Sequence, residues 1–318
     1  MIPRTSRGTT LAYELETIMR RYTALLLLIL GACGSDSSEF PGGSDGDGGA
    51  NPDGGGGDPD GGGGGFGDGG IPDSGGGHSE CKHTLQATLR DFKPCRDTAG
   101  QAGDPCDANT TGHPDFEHYL CSGATHGLVQ PFLDSEGKPQ YAAGAHCASD
   151  STPQSTDAPS FHQWYRDTAG VNQASTYEIL LKETPVGSGH FTYDNQAFFP
   201  LDGKAFGNSP TVDGKKPHNY EFTTEVHLSF TYRGGEKFKF TGDDDLWVFI
   251  DKELALDIGG VHARVSDTLD LDAFATRHAG GLTKGSKYQM DLFHAERHTV
   301  ESTFTVDTTI DCFDPPIH

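Results

Sequence analysis

Positive charge is scarce in this chain: 23 Lys and Arg face 46 Asp and Glu, a formal net charge of −23 over 318 residues. Nucleic acid needs a Lys- and Arg-rich surface to neutralise its phosphates, so a nucleic-acid partner is excluded, whereas an acidic surface suits solubility and divalent cations. The seven cysteines include no C-x-x-C pair, which removes the usual signature of zinc ribbons and dithiol redox sites. A P-loop, a nucleophile elbow and a spaced pair of catalytic carboxylates are also missing, and the chain is expected not to be an enzyme. Helical periodicity goes no further than the stretch 272–279. The strongly apolar run at 24–30 is too short to cross a bilayer comfortably.

The N-terminus does have the pattern of an export signal: Arg20 and Arg21, the apolar run, then Leu30-Gly31-Ala32-Cys33. Glu14 and Glu16 fit a signal n-region poorly, so translation is expected to begin at Met19, with the signal ending at residue 33. Leu-Gly-Ala-Cys resembles the bacterial lipobox. That resemblance implies a lipid on Cys33, attachment to the membrane through this anchor alone and, with Gly34 next, an outer-membrane or cell-surface lipoprotein. An ordinary cleaved signal with Cys33 incidental is the alternative. Residues 34–80 are almost wholly Gly, Asp, Pro and Ser and have no apolar face to repay the cost of ordering, so they read as a disordered linker. Their Asp-Gly pairs lack the closing Glu of an EF-hand and the recurring apolar residue of a nonapeptide β-roll.

Residues 81–318 read as one folded domain. Six thiols beyond Cys33 in an exported chain suggest disulfides. Cys81 with Cys312 would tie the ends of the domain together, and Cys95 with Cys106 and Cys121 with Cys147 are local pairs. Alternating Leu85, Ala87 and Leu89 open the domain, and the Cys-, Gly- and His-rich chain up to about residue 160 reads as long disulfide-stapled loops or, alternatively, a small lobe over 95–147. Val226, Leu228, Phe230 and Tyr232 lie two apart before Gly234-Gly235, with Phe238 and Phe240 beyond. Two glycines between alternating runs predict a β-hairpin closed by a type I′ turn. Residues 246–250 are apolar at every position, which predicts a central strand covered on both faces. Residues 251–253 then turn into 254–258 as a second hairpin, and 269–271, 288–296 and 302–310 complete an all-β antiparallel sandwich or barrel.

Within 161–310 the segments FHQWYRDTAGVN, FFPLDG, HNYEFTTEVHLSFTYRGGEKFKFTGDDDLWVFID, DIGGVH and FHAERHTVESTFTVDT resemble the fibro-slime domain, and DDDLWVFID resembles the Asp-Asp corner of the wider PA14 β-sandwich superfamily. The resemblance implies a PA14-like antiparallel β-sandwich. From the superfamily's calcium-dependent sugar-binding members it also implies two adjacent Asp residues, joined by a cis peptide, that hold a cation which in turn holds sugar hydroxyls. Aligning 248–251 with the family's apolar-Ile-Asp strand places that pair on Asp243 and Asp244. Asp245 stands where the wider pattern often has Gly but agrees with the fibro-slime pattern.

The residues point the same way by themselves. Three consecutive carboxylates at the mouth of an apolar strand repel one another, and a hard cation with oxygen ligands relieves such crowding. Asp243, Asp244 and Asp245 are therefore candidate calcium ligands. Because calcium takes about 6–8 oxygens, Asp257, Asn195 and the carbonyls around Gly259-Gly260 are weaker additions. A solvated acidic turn and a purely structural calcium are the alternatives. Trp164 and Asp244 are candidate sugar contacts, since an indole can lie on a sugar face; Trp247 is expected in the core. On one strand face, His294, Glu296 and His298 have the ligand types for zinc, the basis of a remote metal-dependent hydrolase reading. Against it, Glu296 is expected to pair with Arg297 or a cross-strand base. His262, in Gly-Gly-Val-His, reads as a loop-packing residue. The reading as a whole is a surface-anchored, calcium-dependent carbohydrate-binding or adhesion module, with an extracellular-matrix or coat building block stiffened by calcium as the alternative.

Overall fold

The alternating runs become strands, and the strands assemble into two antiparallel sheets. The computed structural model describes residues 83–95, 112–209 and 216–316, all from the unit Ser74–His318. The signal, Cys33, the 34–80 linker, Cys81 and Cys106 lie outside the described residues. Numbered in chain order, the six-stranded sheet runs β2 (Asn172–Leu180), β1 (Thr84–Phe92), β5 (Phe222–Thr231), β10 (Lys287–Glu296), β7 (Asp245–Ile250), β8 (Glu253–Ile258). The five-stranded sheet runs β3 (Lys182–Glu183), β4 (Phe191–Asn195), β11 (Phe304–Thr308), β6 (Lys237–Gly242), β9 (Val265–Asp270). Two short helices accompany them. In α1 (Ala158–His162) the Asp157 side chain accepts from Ser160 N, and in α2 (Leu271–Arg277) the Asp270 side chain accepts from Asp272 N and Ala273 N, each satisfying donors that a helix start leaves unpaired.

Side-chain parity divides the apolar residues between two cores. Leu246, Val248 and Ile250 of β7 and Met290 and Leu292 of β10 point between the sheets, against Phe238, Phe240, Phe304 and Val306 of the opposite sheet. Trp247 and Phe249, together with Phe293 and Ala295, point the other way into a second, aromatic core. The long loops roof that core with Phe116, Leu128, Val129, Leu133, Phe161, Trp164 and Tyr165. Every residue of β7 is consequently buried, as an uninterrupted apolar run predicts. The Cys121–Cys147 disulfide staples the roofing loops. Cys95 and Cys312 are disulfide-bonded as well, while the pairings expected for them have one half outside the described residues.

The second expected hairpin is present: β7 and β8 pair across Asp251 and Lys252, both at positive φ (47° and 70°). The Gly-Gly hairpin is not. β5 pairs with β1 and β10, whereas β6 pairs with β11 and β9. Gly234 and Gly235, at φ 90° and 89°, instead make a corner by which the chain leaves one sheet for the other. The alternation marks both strands correctly, but it records which side chains face the core and not which strand lies alongside. The inward residues of β5 and β6 meet across the core instead of within a ladder. A side chain closes the corner, the Glu236 carboxylate accepting from the backbone N–H groups of Arg233 and Gly234.

Candidate metal and ligand site

A second crossing between the sheets builds the site. β6 ends at Gly242 in one sheet and β7 begins at Asp245 in the other, so Asp243 and Asp244 are the crossing itself. Glycine is needed at 242, where a Cβ would lie 2.3 Å from Thr303 O and 2.6 Å from the Phe240 ring. The Asp243–Asp244 peptide is cis, and so is Thr299–Val300 in the loop after β10. Backbone donors orient the carboxylates: Asp243 Oδ1 accepts from Thr303 N (2.5 Å), Asp244 Oδ1 from His262 N (3.1 Å) and Asp244 Oδ2 from Arg297 N (3.0 Å). His294 Nε2 donates to the Asp243 carbonyl at 3.0 Å.

The two aspartates open onto a cavity of about 190 Å³ that Leu120, His262, His298 and Glu301 also line. Its walls are loops after β8 and β10, and the stapled loops hold them. Cys121 N donates to Val261 O (2.7 Å), Glu117 N donates to Arg297 O (2.7 Å), and the Glu117 carboxylate accepts from Thr299 N (3.0 Å) and Thr299 Oγ1 (2.7 Å). Val300 and Glu301 are shared with an adjoining groove of about 460 Å³.

The electrostatics are one-sided. Burial, then the Glu301 charge, raise the Asp243 carboxyl to about 6 despite the Thr303 hydrogen bond and the Arg264 charge. Burial raises Asp244 well above the carboxylate range, with Asp243 and Asp245 adding to it and Arg297 opposing. Glu296 is fully buried, and burial together with the charges of Asp244 and Asp243 pushes its pKa far up against the opposing influence of Ser302 and the His298 backbone. Burial also lowers His294 to about 4, so it stays neutral and adds no positive charge.

The structure sorts the expected site residues sharply. Asp243 and Asp244 share the cavity. Asp245 turns away into the protein, where Oδ2 meets Arg297 Nε at 2.6 Å with both side chains fully buried, and Oδ1 accepts from Gly260 N. Asp257 accepts from Trp247 Nε1 (2.9 Å) and Gly127 N (2.8 Å), and Asn195 bonds Tyr193 and Ala197; neither lines the cavity. Trp164 is fully buried in the aromatic core, donating to Asp115 Oδ2 at 3.0 Å beneath the Arg297 guanidinium, so it is unavailable to a ligand. The zinc cluster does not assemble: His298 lies beyond the end of β10 and bonds Thr299 O, while His294 is held by Asp243. Glu296 does not pair with Arg297, whose guanidinium serves Asp245, Asp115 O and Gln154 O. Among the described residues no group of three or more His, Cys, Asp or Glu side chains is arranged to hold a metal ion. A cation at the Asp pair would have to complete its shell from main-chain, water or ligand oxygens.

His262, expected as a loop-packing residue, is buried in its loop and also lines the cavity. Its Nδ1 donates to Ala263 O at 2.9 Å, which leaves Nε2 as an acceptor; that atom is buried, has no hydrogen-bond partner among the described residues and belongs to a side chain lining the cavity. The Gly-Gly-Val-His motif was the available signal, since two glycines let the loop bring His262 N onto Asp244.

Residues 192–312 match the family model of the PA14 domain. Over 206 residues it is 40% identical to Protein psiD of Dictyostelium discoideum, covering 62% of this chain and 38% of psiD. Over 236 residues it is 35% identical to Protein psiC of the same organism, covering 71% of this chain and 41% of psiC. The chain thus spans less than half the length of these curated relatives. Neither relative is a bacterial lipoprotein, and neither supports the outer-membrane reading of residues 1–33. Among solved structures, the PA14 domain of the MpAFP antifreeze protein is similar over 42% of this chain and 75% of that chain, at 11% identity and a TM-score of 0.25.

Proposed function

We propose that this PA14-domain chain is an exported, non-enzymatic module that binds carbohydrate through a calcium ion held by Asp243 and Asp244. The observation that carries the reading is the charge deficit at the crossing. Asp243, Asp244, Asp245 and Glu296 lie buried together, and among the described residues the one cationic side chain bonded to any of them is Arg297, through Asp245. Buried carboxylates without compensation either stay protonated or take a cation.

The donor set suits calcium, a hard ion that accepts carboxylate, carbonyl and water oxygens in flexible geometry. When bound, the ion would supply positive charge to the Asp pair and open coordination positions for hydroxyl groups. The chain's own part is to orient both carboxylates from Thr303, His262 and Arg297 N–H groups, and to offer His262 Nε2 as an acceptor for a hydroxyl proton. Leu120, 47% exposed at the cavity edge, offers an apolar surface to the C–H face of a sugar ring. The fibro-slime-like motifs support adhesion or matrix contact as the setting, and the disulfides support an oxidising, extracellular compartment.

The test is thermal unfolding with and without calcium. At about 100 times its Kd a ligand adds about 2.7 kcal/mol of stability, and Asp244→Asn should remove the upward shift in Tm. A variant that keeps the shift would place the ion elsewhere. A glycan array read with and without chelator then separates the roles: chelator-sensitive spots support sugar binding, and a blank array with an intact calcium shift assigns the ion a structural role.

A further inference from the structure

The charged side chains lining the groove beside the Asp243–Asp244 cavity are mainly basic, in a chain that is acidic overall. In a chain with 46 acidic and 23 basic residues, the described residues lining this groove include Lys216, Arg264 and His218, with Glu301 as the single acid. Arg264 belongs to both places. Its Nη1 donates to Gln196 Oε1 at 2.5 Å across the groove, and its charge lies near enough to Asp243 to favour the ionised carboxylate. Opposite, the Phe199 and His218 rings stack with centroids 3.8 Å apart and planes 8° from parallel, and Tyr220 stands edge-on to Phe199 at 5.2 Å. Asp202 fixes the stack by bonding His218 Nδ1 at 2.6 Å. The groove therefore combines a flat aromatic platform, two flexible cations and direct continuity with the Asp pair.

We infer that this groove takes an anionic sugar, whose carboxylate or sulfate meets Lys216 and Arg264 while hydroxyls of the same or the adjoining residue reach the ion at Asp243 and Asp244. The inference rests on the calcium-bridged reading above and narrows its ligand class. Charge-assisted contacts from a guanidinium and an ammonium favour an anion. The long-range repulsion of a −23 chain would otherwise disfavour an acidic ligand, so the local reversal of sign is what makes one admissible.

Calorimetric titration of the full chain with a glucuronic-acid disaccharide, its sulfated counterpart and its neutral counterpart tests this, in calcium and in chelator. The wild type should bind an acidic sugar about tenfold more tightly than the neutral one, equivalent to about 1.4 kcal/mol. The Lys216→Gln, Arg264→Gln double variant should lose that preference while keeping its calcium-induced rise in Tm, which reports that it is folded with the ion site intact. Preference for the uronate or for the sulfate identifies the anion; either supports the inference. Equal, calcium-dependent binding of acidic and neutral sugars would overturn the anionic groove and leave the calcium bridge standing. Acid preference that survives chelator but not the double substitution would support the groove and overturn the bridge. Binding of no sugar at all would overturn both.

Discussion

Two buried charge clusters in this protein are built from the same residue types and behave in opposite ways. On the outer face of the six-stranded sheet, Glu225 receives Arg90 Nη1 at 2.6 Å, Lys138 Nζ and His227 Nε2 at 2.6 Å, while His227 Nδ1 meets Asp291 at 2.6 Å and Arg90 Nε meets Asp167 at 2.9 Å. Three cations there answer three carboxylates. Burial works against the ions, yet the His227 hydrogen bond and the Lys138 and His227 charges hold Glu225 down at about 2, and Asp291 and Glu225 hold His227 up at about 9. At the crossing between the sheets, burial wins and the carboxyls of Asp243, Asp244 and Glu296 are all raised. The first cluster is complete within the polypeptide. The second leaves its carboxyls either protonated or open to a cation from outside, although both clusters border a cavity, the first through His227 and Asp291 and the second through Asp243 and Asp244.

The comparison breaks most visibly at Arg297. Arg297→Met should cost about 3–5 kcal/mol in urea unfolding, because it strands the fully buried Asp245. Adding Asp245→Asn should recover part of that loss, since the stranded charge and not the lost contact is the larger cost. A single variant within about 1 kcal/mol of wild type, well short of what a buried unpaired charge costs, would mean that the crossing tolerates its own charge without help.

Next in size is Glu225→Gln, with an expected loss of about 2–3 kcal/mol from charge-assisted hydrogen bonds. Arg90 keeps Asp167, and Lys138 and His227 are partly exposed, so water can take over some of the lost interaction. The calcium-induced rise in Tm should be unchanged in this variant. If it disappears, the two clusters are coupled and the contrast between them fails.

What could be read in advance follows the distance along the chain over which each interaction acts. The Asp pair was visible because neighbouring aspartates run directly into an apolar strand, and β7 because burial on both faces leaves no polar position in the run. The Cys121–Cys147 staple joins residues only 26 apart. Asp245 was misread as a ligand because its partner Arg297 lies 52 residues on and shares no local pattern with it. Glu225 and Arg90 are 135 residues apart, and their network left no local trace either. Trp164 was a candidate sugar contact because the loops that bury it have no periodicity from which its burial could be read. The Gly-Gly corner was misassigned for a different reason: a turn between alternating strands has the same local sequence whether the second strand returns alongside or crosses the core.

The smallest expected effect is a dependence on pH that the His227 variant should lose. His227 has its pKa raised from 6.5 to about 9 in the folded chain, so its contribution is fully present below pH 6.5 and is lost as pH rises through 9. Glu225 has its pKa lowered from 4.5 to about 2, so its contribution is present above pH 4.5 and is lost as pH falls through 2. Both operate together between those unfolded-state values, and there the stability gap between wild type and His227→Gln should be widest. Urea midpoints at a series of pH values in chelator, which keeps the metal question apart, should show that gap closing as the medium is made alkaline. A gap that holds constant from neutral to alkaline pH would show that His227 contributes through packing against Phe293, whose ring lies 5.8 Å from its own, and that the neutrality of this cluster is not what stabilises it.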